Sequence, residues 1–546
     1  MTCPGKRLLV CLDGTWVNSD EGYNRPTSSD HNYSLQVPSN VTRLYRALRK
    51  TGLDGMSQIV YYHAGVGTSG SFLDELAGGI FGAGVDENIR EAYSFIATNY
   101  EPGDEIFLIG FSRGAFTARS VAGLIAQIGL LNSRGMEYLY PIFKDAENIR
   151  NPDYKDKFPT VPFANKPHSR QEYKLRLEDE GLTRLYDPDG YAIKVRCVAV
   201  FDTVTLTLHT CKWYDTSLSN TVEHAFQALA LDEVRTSFAP AIWERPRGVY
   251  TDLRQVWFCG AHSNVGGGLP DQELANVTMA WMMDQLADLG VAFEENTIDK
   301  IFEESVIYYY NQVSHGQRKE SSSNSKRWEQ WAEESIYEEH KPVRPWGLGE
   351  MVQPATGIYK LAGKTTRTPG MYHRIDPETS YPTREFLEST NERIHRSVRI
   401  RLGLEGLSYD DVGLYKCRAL LKKGPWLLEK VRLRSRREVY GHDRGGYDDE
   451  VRTEQSSQDY RWAWVYDGPP EEAPPRDLML EETLGPYEKR LLSLNKGIHI
   501  VPSGGFYMLT LRGPLRLLQV DSSIDRSCEK IGDHSTGILP YACGNS

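Results

Sequence analysis

Short runs of apolar, β-branched and aromatic residues punctuate the first half of the chain: Arg7–Leu12, Ile59–His63, Glu105–Ile109, Val195–Phe201 and Gln255–Cys259. Several are nearly continuously hydrophobic, as strands buried on both faces are. Between them the apolar spacing becomes helical. Val41, Leu44, Tyr45 and Leu48 share one face of Val41–Leu48, and Ile89, Ala92, Tyr93 and Ile96 share one face of Asp86–Tyr100. Ala115–Ala126 is a small-residue helical stretch, and Asp271–Leu289 offers Leu274, Val277, Trp281 and Leu286 for packing. Strands alternating with helices predict an α/β fold: a mostly parallel central sheet, flanked by helices and joined by right-handed crossovers.

Two regions break this rhythm. Residues 132–190 are rich in Pro, Lys, Asp and Tyr and read as an insertion over the sheet edge or a lid. From about Glu294 the pattern changes: Gly316–Lys326 is a polar, serine-rich loop, and Ser435–Arg476 is a charged surface excursion. Gly497–Val501 and Phe506–Leu511 read as short strands.

The chemistry is carried by Gly110-Phe111-Ser112-Arg113-Gly114, between the run at Glu105 and the helix at Ala115. Gly-x-Ser-x-Gly in a strand–turn–helix context is a nucleophile elbow. The serine sits on a tight turn, and glycine two residues to either side lets the backbones approach. The turn lifts the hydroxyl above the sheet and aims the Arg113 N–H at a developing oxyanion. A serine nucleophile needs a base, and the base needs a carboxylate. In the order Ser, Asp, His the chain supplies Asp202, at the end of Val195–Phe201, and His262, in the glycine-rich turn Gly260–Gly268. The bland alternatives are a turn-capping aspartate and a hydrogen-bonded structural histidine. Asp271 and Asp252 compete with Asp202 as the acid. At the end of the first strand, Gly14 and Thr15 are candidates for the second oxyanion-hole N–H. Beside them Asp13 orients that loop, binds a cation, or belongs to a plain Asp-Gly turn. Gly65–Gly70 fits Gly-x-Gly-x-x-Gly, yet no clear helix opens on it; it and Gly78–Gly84 read as loops near the site.

Composition narrows the functions. A net charge of −11 over 546 residues argues against a general nucleic-acid binder. The arginines of Val431–Arg437 read as a solvated face or a local basic patch. No apolar run is long enough to span a bilayer, and the N-terminal residues show no signal-peptide core. The eight cysteines form no Cys-x-x-Cys and read as reduced core thiols, with Cys528 and Cys543 a pair of low promise. The expectation is a cytoplasmic protein with no metal and no organic cofactor. Trp328 and Trp331, among charged neighbours, mark either a packed amphipathic helix or a peripheral membrane contact.

Taken in order, a set of segments resembles a known family. They are LLVCLDGTW (Leu8–Trp16), NVTRL (Asn40–Leu44), YHAGVG (Tyr62–Gly67), GGIFGAGVDENIREA (Gly78–Ala92), PGDEIFLIGFSRGAFTAR (Pro102–Arg119), FDTV (Phe201–Val204), HAFQALALDEVRTSF (His224–Phe238) and WFCGAHSNVGGG (Trp257–Gly268). They resemble the α/β-hydrolase family of domain of unknown function 2235, which includes phospholipase effectors of bacterial type VI secretion and fungal proteins. The resemblance implies an α/β-hydrolase fold with a Ser-Asp-His triad acting on carboxylic esters; by motif the triad is Ser112, Asp202 and His262. The family commonly has Asp where this chain has Asn264. The expected division is 1–290 as the catalytic domain, including 132–190, and 291–546 as a C-terminal mixed region packed on or capping the core. The expected activity is that of a serine esterase, with a lipid or phospholipid acyl ester as first substrate. Acyl transfer or cyclisation, and a non-catalytic binding scaffold, are the alternatives.

Overall fold

The computed structural model describes residues 5–14, 23–24, 34–65, 82–149, 151, 153–204, 218–314, 344–353, 363–376, 382–421, 425–432, 460–495, 498–503 and 506–511. Its centre is a seven-stranded sheet built from β1 (Lys6–Leu12), β2 (Ser57–His63), β3 (Glu105–Phe111), β4 (Val195–Phe201), β5 (Val222–Ala230), β6 (Asp252–Phe258) and β7 (Glu392–Ile394). The spatial order is β2-β1-β3-β4-β5-β6-β7, and each neighbouring pair is parallel. The expected runs are all present as strands. Two strands escaped the hydrophobic pattern. β5 carries Glu223, His224 and Gln227 among its apolar residues, and β7 is a three-residue strand of Glu, Arg and Ile. Their backbones are recruited by neighbours: Asp252↔His224 through Phe258↔Ala230 on one side of β6, Gln255↔Glu392 through Trp257↔Ile394 on the other.

Both faces of the sheet are covered, so alternate residues of one strand enter different cores. Leu8, Val10, Ile106, Leu108, Val198 and Val200 pack with α2 (Gly82–Asn99) and α3 (Arg113–Ile128). Leu9, Cys11, Phe107, Ile109, Cys197 and Ala199 pack with α1 (Asn40–Ala47) and α5 (Glu273–Asp288). Each fully buried aliphatic side chain contributes about 2 kcal/mol by area, which is why these runs show no polar alternation. On α5, Leu274, Val277, Trp281 and Leu286 are all buried.

The chain reverses its direction across the sheet between β1 and β3. β2 lies on one side of β1 and β3 on the other, so a crevice opens at the strands' C-terminal ends, the usual ligand position in open α/β sheets. Residues 132–190 contribute helices Leu139–Asn148 and Arg170–Asp179, which join the core around α2 and α3 through Ile142, Phe143, Tyr173 and Leu177. Lys174 donates to the Ala126 carbonyl at 3.0 Å and Thr183 to that of Ile128 at 2.5 Å, at the end of α3 opposite Ser112.

The C-terminal region supplies more than β7. A three-stranded antiparallel sheet, Trp426–Arg432, Tyr460–Tyr466 and Leu478–Leu480, adjoins it through an Ile394↔Glu481 bridge and a buried Arg393–Glu482 pair at 3.0 Å. The hairpin Ile498–Ser503 and Phe506–Leu511 matches the two short strands expected there. Trp328, Trp331, most of the arginine patch, the serine-rich loop and the Gly-rich stretch after Gly65 lie outside the described residues. No described helix is long and apolar enough to cross a membrane. Cys11, Cys197, Cys259 and Cys417 are buried free thiols, and burial pushes the Cys259 thiol up to about 12, far from a nucleophile's range.

Candidate active site

Ser112 caps α3 at the end of β3 with φ 56° and ψ −118°. That backbone is strained for a residue with a Cβ, by about 1–3 kcal/mol, and persists because its surroundings dictate it. The Ser112 N–H donates to the Phe201 carbonyl at 3.2 Å, and its carbonyl accepts from Phe116 N–H at 3.1 Å. One bond ties the turn to β4 and the other starts the helix. The flanking glycines are a steric requirement. A Cβ on Gly110 would stand 2.5 Å from the Gly114 carbonyl oxygen, and one on Gly114 would stand 2.6 Å from that of Asp13. Ser112 is partly exposed, and α3 directs its first-turn N–H groups toward it.

His262 opens α4 (His262–Gly266) just after β6 and is 4% exposed. Its ring is held between Phe111, 4.7 Å away, and Phe238, edge-on at 5.0 Å. Phe111 in turn occupies the space a Cβ on Gly266 would need. The His262 N–H donates to Glu233 Oε2 at 3.3 Å, while the Asn264 side chain accepts from Ala261 N–H at 3.1 Å and donates to the Glu350 carbonyl at 2.9 Å. Asn264 thus shapes the turn by hydrogen bonding alone, without a charge.

His262 Nδ1 lies 2.7 Å from Asp202 Oδ2. A carboxylate only accepts, so Nδ1 carries the hydrogen and Nε2 presents its lone pair. Asp202 is fully buried, with φ 38°. Its Oδ1 accepts from Ala230 N–H at 2.9 Å and from Arg367 Nη1 at 2.5 Å, and its Oδ2 from Arg367 Nη2 at 3.0 Å. Burial opposes ionisation, but the Arg367 charge and then the His262 hydrogen bond outweigh it and hold the carboxyl well below the usual carboxylate range. A depressed acid stabilises the fold above its unfolded pKa. That contribution is intact at neutral pH and is lost only as pH falls below the ordinary aspartate range.

The competing acids are engaged elsewhere. Asp252 begins β6, at the end of the strand away from His262, and faces His224 at 3.3 Å. Asp271 accepts from Glu350 N–H at 2.8 Å, Glu273 N–H at 2.9 Å and Tyr309 OH at 2.5 Å. Of the two candidates after β1, Thr15 lies outside the described residues. Gly14 is beside Ser112, since a Cβ there would stand 3.2 Å from Ser112 Cβ, but its N–H donates to Asp13 Oδ1 at 2.7 Å. Asp13 is buried, and its Oδ2 accepts from Ser39 at 2.7 Å, Thr42 at 2.6 Å and Tyr62 at 3.1 Å. It anchors the loop to α1 and β2. Asp13→Ala would strand those buried donors, and a loss of about 2–3 kcal/mol in denaturant unfolding is the expected result. Among the described residues no group of three His, Cys, Asp or Glu is placed to hold a metal.

Sequence reasoning put forward Ser112, Asp202 and His262, and it missed two residues that the structure brings to the Asp202–His262 pair. Glu233 lies in the quoted segment LDEVRTSF, where an acid three residues past a strand end was its only signal. Arg367, in Thr365-Thr366-Arg367-Thr368, has none.

The parallel sheet, the elbow closing β3 and the His–Asp pair beside it define an α/β-hydrolase-like protein. Residues 6–285, just over half of the chain, match the catalytic domain of the Tle1-like phospholipase effectors of the type VI secretion system. The chain belongs to this family of lipase-type hydrolase domains. A yeast relative, the uncharacterized protein YEL023C of Saccharomyces cerevisiae, is 31% identical over 249 residues, which cover 43% of this chain and 32% of the yeast protein. The match thus spans about a third of that relative's length. Among solved structures, the Tle1 effector bound to the VgrG spike is 20% identical, with a TM-score of 0.24 over 49% of this chain and 52% of that one. An uncharacterized protein from Pseudomonas aeruginosa is 16% identical, with a TM-score of 0.31 over 63% of this chain and 56% of that one.

Proposed function

We propose that the protein is a serine hydrolase of carboxylic esters, acting through Ser112, His262 and Asp202, with lipid or phospholipid acyl esters as the substrate class. The observation that carries this reading is the strained Ser112 turn whose Phe111 ring packs 4.7 Å from the ring of a histidine, with that histidine's Nδ1 held 2.7 Å from a buried aspartate. In this mechanism His262 Nε2 takes the Ser112 proton as Oγ attacks the ester carbonyl. Asp202 orients the imidazole and stabilises its cation. The Arg113 N–H stabilises the oxyanion, with a second donor from the loop after β1, each worth about 3 kcal/mol. For Gly14 to serve, its N–H must turn from Asp13; Thr15 is the alternative. The imidazolium protonates the leaving alcohol, and water resolves the acyl-enzyme by the same steps reversed. Membership of a phospholipase effector family supports the lipid substrate class.

The test is fluorophosphonate labelling of the wild type beside Ser112→Ala and His262→Ala, with the modified peptide identified by mass spectrometry. Labelling at Ser112, lost in the Ser112→Ala variant and reduced at least about 10³-fold without His262, is the expected result. A folded wild type that stays unlabelled and leaves phospholipid vesicles uncleaved would refute the proposal.

A further inference from the structure

Arg367 belongs to residues 363–376, outside the stretch that matches the family. Its loop docks on the segment after β5 like a short strand. Arg235 and Lys364 form an antiparallel bridge, Thr365 N–H donates to the Val234 carbonyl at 2.9 Å, and the Thr236 and Thr365 hydroxyls are 3.1 Å apart. This docking brings the guanidinium to the triad acid. Nη1 and Nη2 reach the two oxygens of Asp202, and the same nitrogens donate to the Ala230 and Phe238 carbonyls, both at 2.7 Å. The residue is 4% exposed. The clamp therefore locks the carboxylate rotamer while also holding Phe238, which borders the imidazole.

We infer that Arg367 is a positioning residue of the site: its fork fixes Asp202 against His262, and its charge opposes a second positive charge on that hydrogen-bonded pair. The inference rests on the proposed Ser112-His262-Asp202 triad. A fixed cation beside a carboxylate disfavours adding another positive charge to the same pair, and the low-dielectric interior magnifies the effect. Because the two groups are in contact, they titrate as a unit. Other charged or titratable groups face them. Glu233 accepts the His262 N–H and is paired with Arg235 at 2.8 Å. Tyr372, whose hydroxyl accepts from Thr368 N–H at 3.3 Å, lies in the Arg367 loop. Asp232 accepts the Gly260 N–H at 2.8 Å and is pushed up to about 6 by burial, so an Asp232→Asn control separates its titration from that of the pair.

The experiment is the pH profile of the fluorophosphonate labelling rate for wild type, Arg367→Gln and Arg367→Lys, with folding followed by circular dichroism. In the Gln variant the acid limb is expected to move up by about one pH unit and the plateau to fall about tenfold, because charge and fork are both lost. In the Lys variant the limb should stay near its wild-type position while the plateau falls, because only the fork is lost. A folded Gln variant whose limb stays in place overturns the inference, since a purely structural role would lower the rate and leave the limb alone. If the Gln variant does not fold, Arg367→Met, which also removes the charge, is read in its place: an acid limb moved up supports the inference, and an unmoved limb overturns it. Absence of Ser112 labelling in the wild type refutes the triad itself. That outcome is distinct from a labelled wild type with indifferent Arg367 variants.

Discussion

Asp202→Asn is expected to lower kcat/KM toward an ester by about 10⁴-fold and, separately, to destabilise the fold by about 3–5 kcal/mol. The two losses have different causes. An amide facing Nδ1 no longer selects the tautomer that leaves Nε2 free to accept the Ser112 proton. In many triads the effect would end there. Here the same carboxylate is the counter-ion of Arg367, buried with it and bonded through both oxygens. Asparagine offers one acceptor oxygen and an NH₂ that points a donor at a donor, so the guanidinium is left charged and half-satisfied in the interior. Rates measured at matched folded fraction, together with denaturant unfolding, separate the two losses. A variant that loses the rate and keeps its stability would mean that Arg367 finds another partner.

Gly114→Ala is expected to cost about 3 kcal/mol or more in unfolding and at least about 10² in rate. Gly114 is the second residue of α3, a place where alanine is ordinarily welcome. The obstacle is tertiary. A methyl group there would run into the carbonyls of Leu12 and Asp13, where β1 ends beneath the helix. Relief requires α3 to lift away from β1, which carries Ser112 and the Arg113 N–H away from His262 and parts Gly14 from Ser112. Thermal unfolding and labelling rate should therefore fall together. A stable Gly114→Ala variant that still labels at the wild-type rate would contradict this account of the elbow.

The glycine spacing was readable because both glycines stand at fixed local offsets from Ser112, although the atoms that exclude a Cβ at Gly114, the Leu12 and Asp13 carbonyls, come from the distant end of β1. Likewise β1, β3 and β4 announced themselves because each buries both faces, leaving an uninterrupted apolar run. β5 and β7 did not. Gln227 is buried in β5 because its side chain can donate to the Ala241 carbonyl at 3.1 Å, and Glu392 in β7 because it can accept from Trp257 Nε1 at 3.0 Å. Polar residues inside a strand conceal it from a pattern based on hydrophobicity, and only the partners make them tolerable.

The α/β class and the chain order of Ser112, Asp202 and His262 follow from the strand-by-strand succession of segments, and the Gly-x-Ser-x-Gly turn from local spacing. The tertiary structure decided which aspartate meets the histidine, since Asp202, Asp252 and Asp271 are equivalent as letters and differ only in which end of which element they occupy. It also decided that an arginine from residues 363–376 clamps Asp202. Such contacts join residues up to 165 positions apart. They arise from packing and charge pairing between distant segments, which leave no periodicity in the chain.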